Sequence, residues 1–354
     1  MTARLSIGPY DSVLRTPLLV ETVLEEDRVR EATVRYSPGA RGVELRFEGV
    51  SPPDAVALAE RICARSSIAH ATAFCMAVED ACGLEIEPGA EALRLVLAEC
   101  ERIASHLETV SDVGLAIEDE VAYRLPRRYL PRVRGFFTAL AGNPFGFGLL
   151  EPGGLRVEEE PQTDTLNRLL GPLRRDSRFV ERKLALSRAR LGGHPRTVAV
   201  PEDEPVASPA LRAAGLRRDL RAGETAYGMY SRLPYRPVFS EGGGALDRVR
   251  VLMGEVRASI ELIEKAMAYE NLSPGPRVAA SLRAGNGMGV VEGPEGSIVY
   301  RVFLGSEGRI IRVRIGTAAP LVAETAEASL RRLSFEDVPA ALVSFGLCAA
   351  CLEL

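Results

Sequence analysis

The chain has 354 residues, 46% of them hydrophobic, and its 44 Lys and Arg against 48 Asp and Glu leave a net charge of −4. This balance supports a sizeable core, excludes a chain-wide basic footprint for nucleic acid, and leaves no run near the ~18 apolar residues of a membrane span. The opening MTARLSIGPYDS shows no apolar signal-peptide stretch, so the cysteines are expected as thiols or metal ligands rather than as a disulfide framework.

Residues 5–48 read as strands, with LLVETVL, ATVRY and VELRF separated by the turn-like EEDRVRE and SPGARG. At Ser51-Pro52-Pro53-Asp54 the pattern changes to helix, with Ser51 as the cap. Helical text continues to about 195. Its clearest element begins near Pro88, where Leu93, Val96, Leu97, Cys100, Ile103, Ala104, Leu107 and Val110 share one face and Glu99, Glu101 and Arg102 fall mostly off it. Residues 201–209 and EGGG at 241–244 read as breakers around a second helix at 245–269, whose stripe of Leu246, Val249, Met253, Val256, Ile260, Ile263 and Met267 suits a bundle. Residues 289–315 return to strand, with a hairpin at Ser306-Glu307-Gly308, and a short helix or loop carries Cys348 and Cys351. The expected fold is α+β: a central helical bundle with β-rich layers contributed by the N- and C-terminal segments. Its segments are 1–50, 51–285 and 286–354 within one integrated domain.

Six cysteines are present, and Cys75, Cys82 and Cys100 lie in apolar helical text as small buried hydrophobes. Cys63 and the Cys348/Cys351 pair remain, open to three readings: plain thiols, a local disulfide, or soft-metal ligands with His70 or Ser66 nearby. His106 reads as a hydrogen-bonded core histidine and His194 as a loop residue. Arg124, Arg127, Arg128, Arg132 and Arg134 form a basic run that suits a solvated or partner-facing surface. Gly285-x-Gly287-x-Gly289 leads into a strand rather than a helix, which argues against a dinucleotide site.

Six segments, in order, resemble the large subunit of membrane-bound, energy-converting [NiFe] hydrogenases and the related 49-kDa (D) subunit of NADH–quinone oxidoreductase. Ile7-Gly8-Pro9 is similar to the family's Gly-Pro-x-His-Pro, and Ala40-Arg41-Gly42-Val43-Glu44 to its His-Arg-Gly-Ile-Glu. The stretch around Cys63 is similar to its Arg-x-Cys-Gly-x-Cys, and residues 99–107 (ECERIASHL) to its Glu-x-Glu-Arg-Ile-x-x-His-Leu. Residues 211–221 (LRAAGLRRDLR) and 287–296 (GMGVVEGPEG) resemble Arg-Ala-Ser-Gly-x-x-x-Asp-x-Arg and Gly-x-Gly-x-x-Glu-Ala-Pro-Arg-Gly.

What the resemblance implies is an oxidoreductase subunit that packs on an iron–sulfur small subunit holding a [4Fe–4S] cluster, with antiporter-like membrane subunits beyond it. The complex would lie peripherally on the cytoplasmic face of the cell membrane and couple electron to proton transfer. The resemblance makes Arg41, Glu44 and His70 the catalytic candidates, with Arg41 and Glu44 open to the plainer reading of an ion pair. It makes Cys63, Cys348 and Cys351 a partial metal site, in which Ser66 replaces the fourth thiol. Asp11 stands where quinone enzymes keep a histidine at the headgroup, and Glu295 where the family has an arginine near the metal. The expectation is therefore no [NiFe] centre, with zinc or another metal possible on the three cysteines, and no nicotinamide or nucleic-acid site. The chain also stops three residues after Cys351, which predicts folding without a processed tail. Two rival readings remain: a scaffold without catalysis, or a reductase of a sulfur-type or other small acceptor.

Overall fold

At the N-terminal end β1 (Thr2–Ile7), β2 (Leu19–Glu25) and β3 (Arg28–Arg35) form an antiparallel meander; burial alternates along β2, where Val20, Thr22 and Leu24 face inward, while β1 is exposed up to Ile7. The structure is a computed structural model and describes residues 2–9, 13–14, 17–36, 41–157, 164–187, 190–192, 200, 204–269 and 284–354. Asp11 and His194 lie outside the described residues.

VELRF departs from expectation. Glu44–Phe47 is a single 3-10 turn, not a strand. Gly42 turns the chain at φ +63°, and Glu44 accepts the Ile315 N–H at 2.8 Å, so the segment covers a strand edge and buries Phe47 against Phe74.

Helices follow: α1 (Pro52–Ala59), α2 (Ser67–Cys82), α3 (Pro88–Ala116), α4 (Glu120–Arg127) and α5 (Leu130–Ala141). Ser51 caps α1 as the sequence suggests, accepting the Asp54 N–H. A two-strand hairpin, β4 (Leu150–Glu151) and β5 (Gly154–Leu155), precedes α6 (Asp164–Leu186), α7 (Pro209–Ala213) and α8 (Ala245–Met267). The C-terminal sheet is a second meander of β6 (Gly285–Gly293), β7 (Gly296–Leu304) and β8 (Ile310–Thr317). The chain closes with α9 (Ala319–Ser329), α10 (Val338–Val343) and α11 (Ala349–Leu352). The α+β class is as expected, and the strand text of 289–315 forms β6, β7 and β8, with β6 beginning four residues earlier at Gly285.

Two apolar clusters fill the interior. The larger joins α2, α3 and α8 to the inner face of the C-terminal sheet. The smaller seats the N-terminal sheet on α9 and α10, so the two ends of the chain meet. Cys75, Cys82 and Cys100 are buried in the larger cluster as free thiols.

The Gly285, Gly287, Gly289 series has a packing cause. A Cβ at these positions would lie 2.5, 2.3 and 2.0 Å from the carbonyl oxygens of Ala81, Ala77 and Ala73. Three glycines on one strand face thus let β6 lie directly on the α2 backbone, with alanines opposite.

α3 corrects the sequence reading. Glu99, Glu101 and Arg102 are 0%, 6% and 1% exposed. A helix surrounded on all sides has no solvent face, so its polar residues need partners within the protein.

Candidate functional site

Three peptide segments converge on the thiols. Cys63 lies in the loop between α1 and α2, where the Ser66 N–H bonds the Cys63 carbonyl at 3.2 Å. Gly346 at φ +64° turns the chain ahead of Cys348, which is the N-cap of α11 and accepts the Cys351 N–H at 3.1 Å. Arg41 ties these segments together: its Nη2 donates to the Ile62 carbonyl at 3.1 Å and to the Ala350 carbonyl at 2.6 Å.

The result brings together residues 285 positions apart. Cys63 Sγ is 3.4 Å from Cys348 Sγ, and the sulfurs of Cys63, Cys348 and Cys351 lie within 4.8 Å of one another. Hydrogen bonds from Cys351 and Cys63, with Arg65 close by, hold the Cys348 thiol well below the usual thiol range. The same bonds to Cys348 push Cys63 and Cys351 up.

His70 is fully buried beside them. Its Nε2 is 3.7 Å from Cys351 Sγ and its Nδ1 is 3.0 Å from the Tyr300 hydroxyl. Burial lowers it to about 4, so the ring is neutral at pH 7. Glu44 stands apart from this group, with its carboxylate taken by Arg314 and the Ile315 N–H on β8. Arg41 and Glu44 therefore have different partners, the first the backbone of both cysteine segments and the second the C-terminal sheet.

Ser66 donates its hydroxyl to Glu295 Oε2. The Ser105 hydroxyl donates to Glu295 Oε1 at 2.5 Å, and Arg65 Nε faces the same oxygen at 3.3 Å. Glu295 does not strip the site of cationic charge, because Arg65, inside the Cys63–Ser66 turn, brings a guanidinium to the same place. Neither Arg65 nor Ser105 was singled out by the sequence reading. A cation within the cysteine turn opposite an acid in the β6–β7 turn was the available signal.

The donor set decides among metals. A [NiFe] centre of the kind the resemblance describes takes two thiol pairs, whereas this site offers three sulfurs and a serine hydroxyl engaged by a carboxylate. A [NiFe] centre does not fit. Three thiolates are a soft set that suits a single zinc ion, which would close the site structurally because zinc has no redox chemistry.

Behind the thiols lies a buried ionic cluster. Arg212 reaches Glu255 at 2.6 Å and Glu292 at 2.5 Å, and Arg221 reaches Asp219 at 2.7 Å and Glu255 at 3.2 Å. Arg102 contacts Glu99 at 3.4 Å and Glu255 at 3.3 Å, and His106 Nε2 contacts Glu255 at 3.1 Å. Tyr230 and Ser259 each donate to Glu99 at 2.5 Å. The cluster pins α3, α7, α8 and β6 to one another. His106 is thus a hydrogen-bonded core histidine, as its sequence context suggested.

Comparison with known proteins agrees with the motif order. Residues 203–284 match the family model described as respiratory-chain NADH dehydrogenase, 49 Kd subunit, and residues 41–109 the one described as nickel-dependent hydrogenase. Membrane-bound hydrogenase subunit alpha of Pyrococcus furiosus is 27% identical, covering 99% of this chain and 87% of its own. Carbon monoxide-induced hydrogenase of Rhodospirillum rubrum is 22% identical over 99% of both chains. NADH-quinone oxidoreductase subunit 4 of Thermus thermophilus is 27% identical over 77% of this chain and 67% of its own. A chain from the membrane-bound sulfane sulfur reductase, an archaeal respiratory membrane complex, has the same fold at TM-score 0.82 and 23% identity, covering 100% of this chain and 98% of that one. Among the described residues no helix is long and apolar enough to cross a membrane. The motifs, the fold and these relatives agree: along nearly its whole length the chain is similar to the large subunits of nickel-dependent hydrogenases and to the 49-kDa subunit of NADH–quinone oxidoreductase, and it is large-subunit-like in that sense.

Proposed function

We propose that this chain is the large subunit of a membrane-associated, multi-subunit oxidoreductase in which electrons from a [4Fe–4S] cluster on an iron–sulfur small subunit reach the Cys63, Cys348 and Cys351 thiols rather than a [NiFe] centre. Antiporter-like membrane subunits complete the complex, which sits on the cytoplasmic face of the membrane. The relatives' names, all of subunits or enzymes of hydrogenase and NADH–quinone oxidoreductase type, support this setting. The observation that carries the reading is the set of three sulfurs within 4.8 Å, beside a serine already bonded to Glu295.

A sulfur-type acceptor is favoured by one distance: Cys63 and Cys348 are 3.4 Å apart, close enough to close a disulfide with small movement. The chemistry balances without a metal. The Cys348 thiolate attacks an S–S bond of RS–SR′, forming a mixed disulfide and releasing one sulfide product, which takes a proton. Cys63 then displaces the second product as the Cys63–Cys348 disulfide forms, its thiol proton leaving with that product. Two electrons from the iron–sulfur partner and one proton restore the Cys63 thiol and the Cys348 thiolate, so with the proton taken by the first product the sum is RSSR′ + 2 e⁻ + 2 H⁺ → RSH + R′SH. A pure scaffold would need neither the sulfur geometry nor a cation beside it.

The test uses the purified complex with reduced viologen as donor. Inorganic polysulfide is expected to oxidise the viologen, while no hydrogen is evolved without it. Hydrogen evolution at turnover rates would overturn the reading.

A further inference from the structure

The arginines between 124 and 134, which the sequence singles out, belong to a larger face that the thiol chemistry does not use. Residues 120–141 and α6 together hold eleven Arg and Lys against four Asp and Glu. That is +7 in a chain of net charge −4, so the remaining residues sum to −11. α6 packs on α4, α5 and α8, and these pack in turn on α3. Those helices therefore stand between α6 and α3.

The helical period fixes which side chains of α6 look outward. Leu166, Leu169, Leu170, Leu173, Val180 and Leu184 are buried. Arg168, Arg175, Arg178, Phe179, Arg182 and Leu186 form the opposite, exposed stripe. It runs roughly 27 Å at about 1.5 Å per residue. Phe179 is 50% exposed and Leu186 82%. Asp164, in the first turn, is the one acid on this stripe among the described residues, and Glu158, Glu159 and Glu160 ahead of it lie outside them. No arginine of the stripe is paired with an acid among the described residues, whereas the flanks are tied down: Arg174 pairs with Glu264 at 2.7 Å and Arg257 with Glu181 at 2.8 Å. Toward α4 and α5, Arg128 faces Asp176 at 3.8 Å with its side chain still exposed, and Arg132 is exposed as well.

Like charges three and four residues apart repel, so Arg175, Arg178 and Arg182 cost the free helix stability. A dense anionic surface offsets that cost. The guanidinium fork suits phosphate oxygens. A straight row of such forks suits a plane, and an aromatic and an aliphatic side chain standing among them suit a headgroup layer with acyl chains beneath it. We propose that this face docks on the anionic phospholipid headgroups of the membrane surface, with the α6 arginines on lipid phosphates and Phe179 and Leu186 entering the headgroup layer. The proposal rests on the membrane-associated reading of the complex and is independent of the acceptor at the thiols. The remaining chain, at −11, is repelled by the same surface. Contact through α6 therefore fixes which side of the subunit faces the membrane.

The chain has no tryptophan, so Phe179→Trp reports on this face alone. The full chain carrying it is mixed with vesicles of phosphatidylglycerol and phosphatidylcholine, and separately with vesicles of phosphatidylcholine only. Its emission is expected to move to shorter wavelength with the first and not with the second, and to be quenched by brominated acyl chains. Phe303→Trp, at an exposed position of the C-terminal sheet, is expected to do neither. Combining Arg168→Gln, Arg175→Gln, Arg178→Gln and Arg182→Gln is expected to weaken vesicle binding about 100- to 1,000-fold, the scale of four arginines near an anionic surface, without lowering the melting temperature. Raised salt is expected to weaken it too. An unshifted Phe179→Trp, or binding that survives the four substitutions, overturns the docking face. Loss of a co-purifying subunit from the four-arginine variant, with no vesicle binding by the wild type, also overturns it and gives the face to an acidic protein. A wild-type complex recovered from the soluble fraction of broken cells overturns the membrane-associated reading instead.

Discussion

Replacing Cys348 by serine is expected to abolish polysulfide-dependent viologen oxidation, with a fall of at least about 10³-fold, while leaving the complex assembled. Cys348 is the only one of the three sulfurs held low, by the Cys351 and Cys63 hydrogen bonds and by Arg65. The thiolate is the nucleophile in thiol–disulfide exchange, and a serine hydroxyl stays protonated at neutral pH. Cys63→Ser is expected to stop turnover later, trapping the mixed disulfide on Cys348, since it removes the resolving sulfur 3.4 Å away. Cys100→Ser, in a buried helix away from the thiol site, is the control, costing stability but not the chemistry. Intact mass after a single addition of polysulfide separates the three variants: a sulfur adduct retained only in Cys63→Ser supports the order of steps, and an adduct on Cys348→Ser contradicts it.

The second large effect concerns stability. Arg212→Met is expected to destabilise the chain by about 3–5 kcal/mol, the cost of breaking a buried ion pair by removing one partner. Arg212 is fully buried and is shared by Glu255, Glu292 and Asp219, the last at 3.7 Å, so its loss leaves three acids with two arginines among them. Arg217→Ala, which breaks a pair with Glu241 whose side chains are 65% and 76% exposed, is expected to change stability by less than about 1 kcal/mol. Thermal melting of the two variants beside the wild type makes the comparison. Equal shifts would mean that the cluster does not hold the bundle together.

That cluster explains what could be read from the sequence. Glu99, Arg102 and His106 come from one resemblance motif, Arg212, Asp219 and Arg221 from a second, and Glu292 from a third, and all meet around Glu255. Much of what made the sequence recognisable is therefore a structural ion network joining helices to β6 and not the thiol site. Periodicity alone placed Glu99, Glu101 and Arg102 off the buried face of α3, because period-3.6 reasoning presumes a solvent side that this helix lacks. The meeting of Cys63 with Cys348 and Cys351 was legible only through the resemblance, since nothing local links segments 285 residues apart. The Arg65–Glu295 pair was legible only by setting the two resemblance motifs side by side, since its halves lie in turns 230 positions apart and become partners only when the β6 glycines seat the sheet on α2. Of the two readings of Glu44, the plainer one, a local pair with Arg41, is not what the fold makes: tertiary structure supplies Glu44 with Arg314 instead.

The central claim is that electrons leave this subunit through sulfur and not through nickel and iron. Its most direct test is differential thiol labelling of one purified complex, reduced and then exposed to polysulfide, with elemental analysis of the same sample. The account predicts that Cys63 and Cys348 are alkylated in the reduced complex, are recovered as a Cys63–Cys348 disulfide after polysulfide, and return to thiols on re-reduction, with no stoichiometric nickel. Stoichiometric nickel, or cysteines whose labelling does not change with redox state, would contradict it.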